Sequence, residues 1–522
     1  MTSDWQNVSL AVHLSRVVIL NPFLRLFLVL ATCFPLLVAG AQRSNVLFIS
    51  IDDLNDWLGC LKGHPQAVTP NLDRLAKRGV LFTEAHCAAP LCKPSRTAVF
   101  SGRPPHQTGV YGNGDADIRK LRPELVLLPK AFARAGYQTY GAGKLLHGNS
   151  RGLCQDELYP GQRWSPFAKG TVDYTKKELP SKGTDNPRHV IKNGPGGVDY
   201  VLPLNRMPSD RAPREKKGES FDWGPFDLPD SAFGDGEITD WAIERVRPKH
   251  DNPFFMAVGY YRPHIPLFAP GRDFERYPEA SKITLPPHRE DDLEDLGPVG
   301  KRWALEAVTA GSHKTTLEHE QWQEAVRAYL ACVTFVDRQV GRILSELEKS
   351  PHAENTWIVV WGDHGWHLGE KQHWGKWTGW RRSTRVPLIV VPPNRETRFA
   401  RNKKCAEPVS LLDLYPTLLT ACGLKAPHEL AGTSLLPLLE NPAMETKRRV
   451  LTSFDRGNYS VSGRSWHYIR YAKGEEELYR RADDPNEWNN LVKTGSHNKI
   501  LAEMRACLPV DPAPAARSKP KR

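Results

Sequence analysis

Short apolar runs that each stop at polar residues constrain this chain more than any other feature. Val46-Leu47-Phe48-Ile49 leads to Asp52-Asp53, and residues 137–142 lead to Gly143-Lys144. Residues 253–258 lead into Arg262-Pro263-His264-Ile265-Pro266, and residues 356–361 end at Gly362-Asp363-His364-Gly365. Continuous apolar runs of this length fit strands buried on both faces, as in a parallel sheet. Helical patterns separate them. Residues 69–79 carry Pro70 early, Leu72, Leu75 and Ala76 on one face, and Gly79 at the end. Residues 128–135 stop at Gly136, and 237–246 and 321–349 also have helical periodicity. The alternation predicts an α/β fold, with a large mixed, mostly parallel sheet sandwiched by helices. A further strand over 386–391 precedes a polar basic connector and a helix over 410–421 packed on the main domain. Short strands and turns then predict a smaller C-terminal subdomain containing an antiparallel sheet. The expected boundaries are a main domain over 42–395, a subdomain over 396–508 and a disordered basic tail over 509–522. Residues 150–235, rich in Gly, Pro and charge, read as long loops around the mouth of a site.

In an open α/β sheet, ligands bind beyond the carboxyl ends of the strands. That edge receives Asp52, Asp53, Lys144, His264, Asp363 and His364. An Asp after a strand is ordinarily a turn or capping residue, so the weight lies in their shared placement. Asp52, Asp53 and Asp363 make a hard-oxygen set suited to calcium or magnesium, from which His364 departs. Cys92 opens the run Cys92-Lys93-Pro94-Ser95-Arg96-Thr97-Ala98-Val99-Phe100-Ser101-Gly102-Arg103. Pro94 just inside a helix start and Gly102 at its end put residue 92 at a helix N-terminus, where free N–H groups favour an anion.

With 522 residues and 40% hydrophobic content, the chain can bury a large core. Its net charge of +12 would help gather anionic substrates, and no nucleic-acid-binding pattern accompanies it. Arg16 and Arg25, an apolar stretch over 26–38 and Ala39-Gly40-Ala41 describe a cleavable export signal over 1–41 better than a membrane span. The mature chain is then expected from near Gln42, periplasmic or secreted, with no stable span; an uncleaved anchor is the alternative. Of nine cysteines, Cys33 lies in the leader and Cys92 in the motif, so an odd seven remain. Complete pairing is excluded, and Cys405 with Cys422 is one candidate pair.

The run from Cys92 through Arg96 to Ser101-Gly102-Arg103 resembles the sulfatase signature, with Ser101 where that family more often has Thr. Gly143-Lys144-Leu145-Leu146-His147, Pro263-His264-Ile265-Pro266 and Asp363-His364-Gly365-Trp366-His367-Leu368-Gly369-Glu370 extend the resemblance. Trp374-Gly375-Lys376-Trp377, Glu477-Leu478-Tyr479 and Asp484-Pro485-Asn486-Glu487 complete it. Residues 45–491 thus resemble sulfatases of the alkaline-phosphatase-like superfamily, most nearly iduronate-2-sulfatase-like bacterial enzymes, in which Asp-His replaces Asp-Asn.

The resemblance implies that Cys92 is oxidised to formylglycine by a formylglycine-generating enzyme, its maturation partner. A hydroxyl of the aldehyde hydrate then attacks sulfur, and the sulfated intermediate collapses without a second attack by water. It further implies one calcium ion held by Asp52, Asp53, residue 92, Asp363 and His364. Arg96 would position the hydrate. Lys144 and His147 would touch hydrate and sulfate, with His147 the base for collapse. His264 and Lys376 would bind sulfate and ester oxygens, one of them protonating the leaving alcohol, with His264 favoured. The substrate implied is a sulfated carbohydrate. Alternatives are a phosphonate or phosphodiester hydrolase of the same superfamily and a non-catalytic binder of sulfated glycans. His367 and His373 are candidates for supporting or substrate-facing positions. Arg381-Arg382 would favour a multiply anionic substrate if they face the cleft, and mean little on an outer surface.

Overall fold

A computed structural model describes residues 43–517 apart from 160–165, 172, 177–188, 193–196, 198 and 209–219. The central sheet runs in the order Lys403–Cys405, Val80–His86, Arg385–Val391, Thr356–Gly362, Asn45–Ile51, Phe254–Tyr260, Gln138–Gly143 and Asp156–Leu158. Val409–Ser410 also pairs with Val80–His86. Neighbours run parallel throughout, except that Arg385–Val391 opposes the strands on both its sides. The sheet is therefore mixed and mostly parallel, as expected.

Asn45–Ile51 is buried along its whole length, which explains its unbroken apolar sequence. Leu47, Ile49 and Ile51 enter one core with residues of the helices Pro70–Arg78, Gly234–Val246 and Trp322–Lys349. Val46 and Phe48 enter another with residues of the helices Cys92–Ser101, Leu128–Arg134 and Leu414–Ala421. Alternating side chains thus bind helices to both faces, each fully buried large apolar residue contributing about 1.5–3 kcal/mol. The start of Pro70–Arg78 is also anchored: Asp337, on the long helix, accepts the Asn71 and Leu72 amides at 3.2 and 2.8 Å.

Register sets the functional edge. Ile51 lies opposite Gly362 and Tyr260, and Gly143 opposite Gly259, so Asp52, Asp363 and Lys144 emerge at one level. Gly143 has a φ of +72°, and a Cβ there would sit 2.0 Å from the Gly259 carbonyl oxygen. Only glycine permits this turn at this distance, and it aims Lys144 across the end of its neighbour.

Val450–Asp455, Asn458–Ser462, Trp466–Arg470 and Glu476–Arg480 form a four-stranded antiparallel sheet, followed by the helix Asn498–Arg505. Lys403–Cys405 and Val409–Ser410 return to the central sheet, and the antiparallel unit begins at Val450.

The tail also differs from expectation. The Ala513 and Ala516 amides donate to the His106 and Gly109 carbonyls, both at 2.8 Å, and the Ala116 amide donates to Ala516 at 2.7 Å. These backbone bonds fix the tail as far as Arg517, overriding its disorder-like composition; residues 518–522 lie outside the described residues. So does the expected signal over 1–41. Among the described residues, no helix is long and apolar enough to cross a membrane. Cys405 and Cys422 are both buried as free thiols, so that pairing is not formed.

Candidate active site

Cys92 is the first residue of the helix Cys92–Ser101 and is fully buried. Its Sγ lies 3.5 Å from Lys144 Nζ, 3.1 Å from Lys376 Nζ and 3.3 Å from His364 Nε2. Burial alone would push the thiol up, but Lys144, Lys376, His364 and a hydrogen bond with His147 hold it well below its ordinary value. Two unit charges 4 Å apart at an effective dielectric near 20 interact by about 4 kcal/mol, enough for several cations to outweigh desolvation. Position 92 is therefore built to carry negative charge.

The strand ends supply the rest. Lys144 pairs with Asp52, and Lys376 Nζ lies 2.5 Å from Asp53 Oδ1. His264 is held by a 2.6 Å bond from its Nδ1 to the Ile265 carbonyl, leaving Nε2 4.0 Å from Asp53 Oδ2. His147 adjoins Cys92, and burial holds its ring below the usual histidine value. Asp52, Asp53, Lys144, His147, His264, His364 and Lys376 thus lie at Cys92 or beside its neighbours.

Arg96 is buried among the strand ends beside Cys92. Its Nε donates to Asp363 Oδ2 at 2.7 Å, and its Nη1 donates to Ser50 Oγ at 3.0 Å and to the Lys144 carbonyl. Its Nη2 is 3.6 Å from Asp52 Oδ1. The guanidinium is a buried clamp joining two strand ends to the motif helix.

Four side chains, Asp52, Asp53, Cys92 and His364, bring ligand atoms within 4.8 Å of one another. Asp52 Oδ1 and Asp53 Oδ2 are buried without a hydrogen-bond donor. Such oxygens are costly unless a positive charge meets them, and oxygen-rich ligands suit a hard divalent cation. His364 Nδ1 donates to the Gly365 carbonyl at 3.1 Å, so the neutral ring would present its Nε2 lone pair to the cluster. The donor set fits a metal ion. Asp363 stands beside these four, its Oδ2 held by Arg96 and 3.6 Å from His364 Nε2. Burial raises Asp363 well above the carboxylate range; burial disfavours charge on His364, but Asp363 outweighs it and pushes the imidazole up to about 9.

Several contributors escaped sequence analysis. Ser50 binds Arg96, Trp366 lies beneath Lys376 with its ring 5.3 Å from Nζ, and Tyr329 donates to the Asp53 carbonyl at 2.7 Å. Trp366 lies inside the motif that opens at Asp363 but nothing there assigns it a role, and Tyr329 is one apolar-face position among many on a 28-residue helix. His367 and His373 are buried supports. His373 Nε2 bonds the Lys376 carbonyl at 3.2 Å, and His367 Nε2 pairs with Thr378 Oγ1 at 3.1 Å.

A cleft of about 550 Å³ opens onto His264 and Lys376 and is also lined by Tyr111, Asn113, Trp377 and Ser220. Arg381 and Arg382 line a different cavity of about 270 Å³. Arg381 pairs with Glu84 at 2.9 Å, and Arg382 pairs with Asp56 and with Glu370 at 2.8 Å. They line this second cavity rather than the cleft, and the neighbouring carboxylates offset their charge.

Comparison with known proteins agrees with this architecture. A family model described as "Sulfatase" matches residues 44–424, and one described as "N-sulphoglucosamine sulphohydrolase, C-terminal" matches residues 369–510. A "Sulfatase" of Formosa agariphila is 34% identical over 90% of this chain and 87% of its own length. Human "Iduronate 2-sulfatase" is 29% identical over 73% of this chain and 70% of its own. A solved phosphonate monoester hydrolase from Silicibacter pomeroyi shares the fold with a TM-score of 0.68 at 21% identity, covering 89% of this chain and 94% of that one. With position 92 ringed by cations at the carboxyl edge of the sheet, and with the sulfatase family model matching residues 44–424, this chain belongs to the sulfatase family of sulfuric ester hydrolases.

Proposed function

We propose that the protein is an exported sulfatase acting on O-sulfate esters of carbohydrates, with Cys92 matured to formylglycine and calcium at the adjoining carboxylates. The convergence of Lys144, Lys376 and His364 within 3.5 Å of Cys92 Sγ carries this reading. Formylglycine supplies a hydrate nucleophile that no encoded side chain offers, and its formation requires a separate maturing enzyme. A divalent cation held by Asp52, Asp53, residue 92 and His364, with Asp363 beside them, would neutralise charge on the sulfate.

The chain's own groups divide the remaining work. Lys144 and Lys376 hold the anionic sulfate against position 92, each fixed in turn by a carboxylate. Arg96 keeps Asp52 and Asp363 in place, so it is a positioning residue. His147, with its proton affinity lowered by burial, is suited to accept a proton beside position 92. His264 uses Nδ1–H on the Ile265 carbonyl and turns Nε2 to the cleft. Its protonated ring can donate from Nε2 to the departing alcohol, whereas the Lys376 ammonium is already engaged by Asp53 and Cys92. Carbohydrate as the substrate class is supported by the similarity to iduronate 2-sulfatase.

The test is sulfate release from sulfated mono- and oligosaccharides by protein coexpressed with a formylglycine-generating enzyme. Turnover lost in Cys92→Ala with an unchanged circular dichroism spectrum is the expected result. Undiminished turnover in that variant would overturn the nucleophile assignment. Turnover of phosphonate or phosphate diesters in preference to every sulfate ester would overturn the substrate class, and saccharide binding without turnover by matured protein would leave a glycan binder.

A further inference from the structure

The docked C-terminal segment enters the substrate cleft. Ala515 and Arg517 line the same cavity of about 550 Å³ as His264 and Lys376, more than 120 residues beyond the last of these in sequence. The docking is specific. Besides the three backbone bonds at His106, Gly109 and Ala116, the Tyr111 hydroxyl donates to the Ala513 carbonyl at 3.0 Å. Arg517 forms a β-bridge with Asp115. Gly109 has a φ of +79°, and a Cβ there would lie 2.5 Å from the Pro514 carbonyl oxygen, so the body is shaped to admit the tail.

Charge distinguishes Arg517 from the other cations of the site. Lys144, Lys376 and Arg96 are paired with Asp52, Asp53 and Asp363. Arg517 is exposed, and among the described residues it forms no ion pair. The carboxylates sharing its cavity are engaged by backbone donors. Asp115 Oδ2 accepts the Tyr111 and Gly112 amides, both at 2.7 Å, and Asp455 Oδ1 accepts the Arg456 amide at 2.7 Å. Arg517 also acts on Asp455 through its charge, but without a close ion pair its guanidinium can still match the planar oxygens of a carboxylate or sulfate in the cavity.

We propose that the segment over 511–517 forms a wall of the substrate cleft and that Arg517 binds a second anionic group of the saccharide, separate from the sulfate that is cleaved. This rests on the carbohydrate sulfatase reading and narrows it to saccharides bearing at least two negative charges.

The test uses three saccharides with the same reacting sulfate, one otherwise neutral, one with a carboxylate and one with a second sulfate. In Arg517→Ala, kcat/KM for the dianionic substrates relative to the neutral one falls about tenfold, through KM, and Arg517→Lys partly restores it. A fall with only one dianionic substrate identifies the group Arg517 reads. Ala516→Pro, which removes the N–H donated to Gly109, reproduces the fall and speeds amide exchange over 109–116. An unchanged ratio, or an equal loss on all three substrates, overturns the proposal. Affinities of the same saccharides for Cys92→Ala protein, with and without the Arg517 change, separate this proposal from the hydrolase reading. If matured wild type cleaves none of the three while affinity still depends on Arg517, only the hydrolase reading falls. If cleavage proceeds and affinity ignores Arg517, only the tail's role falls.

Discussion

His264 and Lys376 both lie at the cleft, yet only Lys376 is locked in a close ion pair, 2.5 Å from Asp53 against 4.0 Å for His264. A proton donor matters most when the leaving group is a poor one, so the two residues separate on leaving-group quality. His264→Ala should cost about 100-fold or more on a sugar sulfate and far less on an aryl sulfate with an acidic phenol; equal losses would remove His264 as the acid. Arg96 makes a different prediction. Arg96→Ala strands Asp363 and leaves Asp52 a cation short in a site with no water exposure, at a cost of about 3–5 kcal/mol. Urea unfolding should show that loss, and a variant of wild-type stability would mean the clamp is dispensable. Asp52, Asp53, Lys144, Asp363 and His364 were legible in the sequence because each directly follows an apolar run. Ser50 and Trp366 were not, since their contacts are set by packing. Nor were the partners of Arg381 and Arg382: Glu84 lies almost 300 residues from Arg381, and nothing near the pair announces it.

At the scale of elements, apolar runs and their glycine or proline punctuation predicted where strands and helices lie but carried no direction. Arg385–Val391 reads like its neighbours and runs against them, because burial on both faces imposes the same composition either way. The crossing at Gly143 makes a sharper point. Gly143→Ala would bring a methyl against the Gly259 carbonyl and force a left-handed backbone on alanine, so both strands must shift. We expect a stability loss of about 2 kcal/mol or more and a larger loss of turnover, because Lys144 moves with the turn. Wild-type kinetics in this variant would show that the strand end does not position Lys144. The last helix answers to pH. Burial would raise Glu476, but hydrogen bonds from Arg505, Tyr468 and Arg470 outweigh it and lower the carboxyl from 4.5 to about 2. A depressed carboxylate stabilises the fold above its unfolded value near 4.5, and that contribution is lost as pH falls toward 2. Because the cluster is partly solvated, its worth is about 1 kcal/mol after screening. Unfolding curves for wild type and Glu476→Gln should draw together as pH falls from 6 toward 2, the wild-type lead shrinking below about 4.5; parallel curves would dismiss the linkage.

For the molecule as a whole, the metal cluster is where the chain's separate segments meet. Asp52 and Asp53 follow the central strand, His364 follows its neighbour, and Cys92 opens a helix on one face of the sheet. No unfolded chain holds these four together, so a cation that binds them binds the folded state alone. The linkage is RT ln(1 + [L]/Kd), about 2.7 kcal/mol when free metal stands at 100 times Kd. Two carboxylates, joined by an oxygen at position 92 if it is matured, would suit the irregular geometry that calcium accepts and magnesium resists. Calcium should therefore raise the melting temperature by a few degrees over chelated protein, with magnesium giving less. Asp53→Asn should erase most of that rise, because it removes one of the cluster's two carboxylates, each with an oxygen that lacks a donor. Asp337→Asn, which loosens the anchored start of Pro70–Arg78 rather than the cluster, should lower the melting temperature yet keep the calcium increment. A melting temperature indifferent to calcium and chelator would mean that Lys144 and Lys376 alone neutralise the carboxylates. The catalytic edge would then need no cation for its fold, and calcium would have to be sought in the turnover alone.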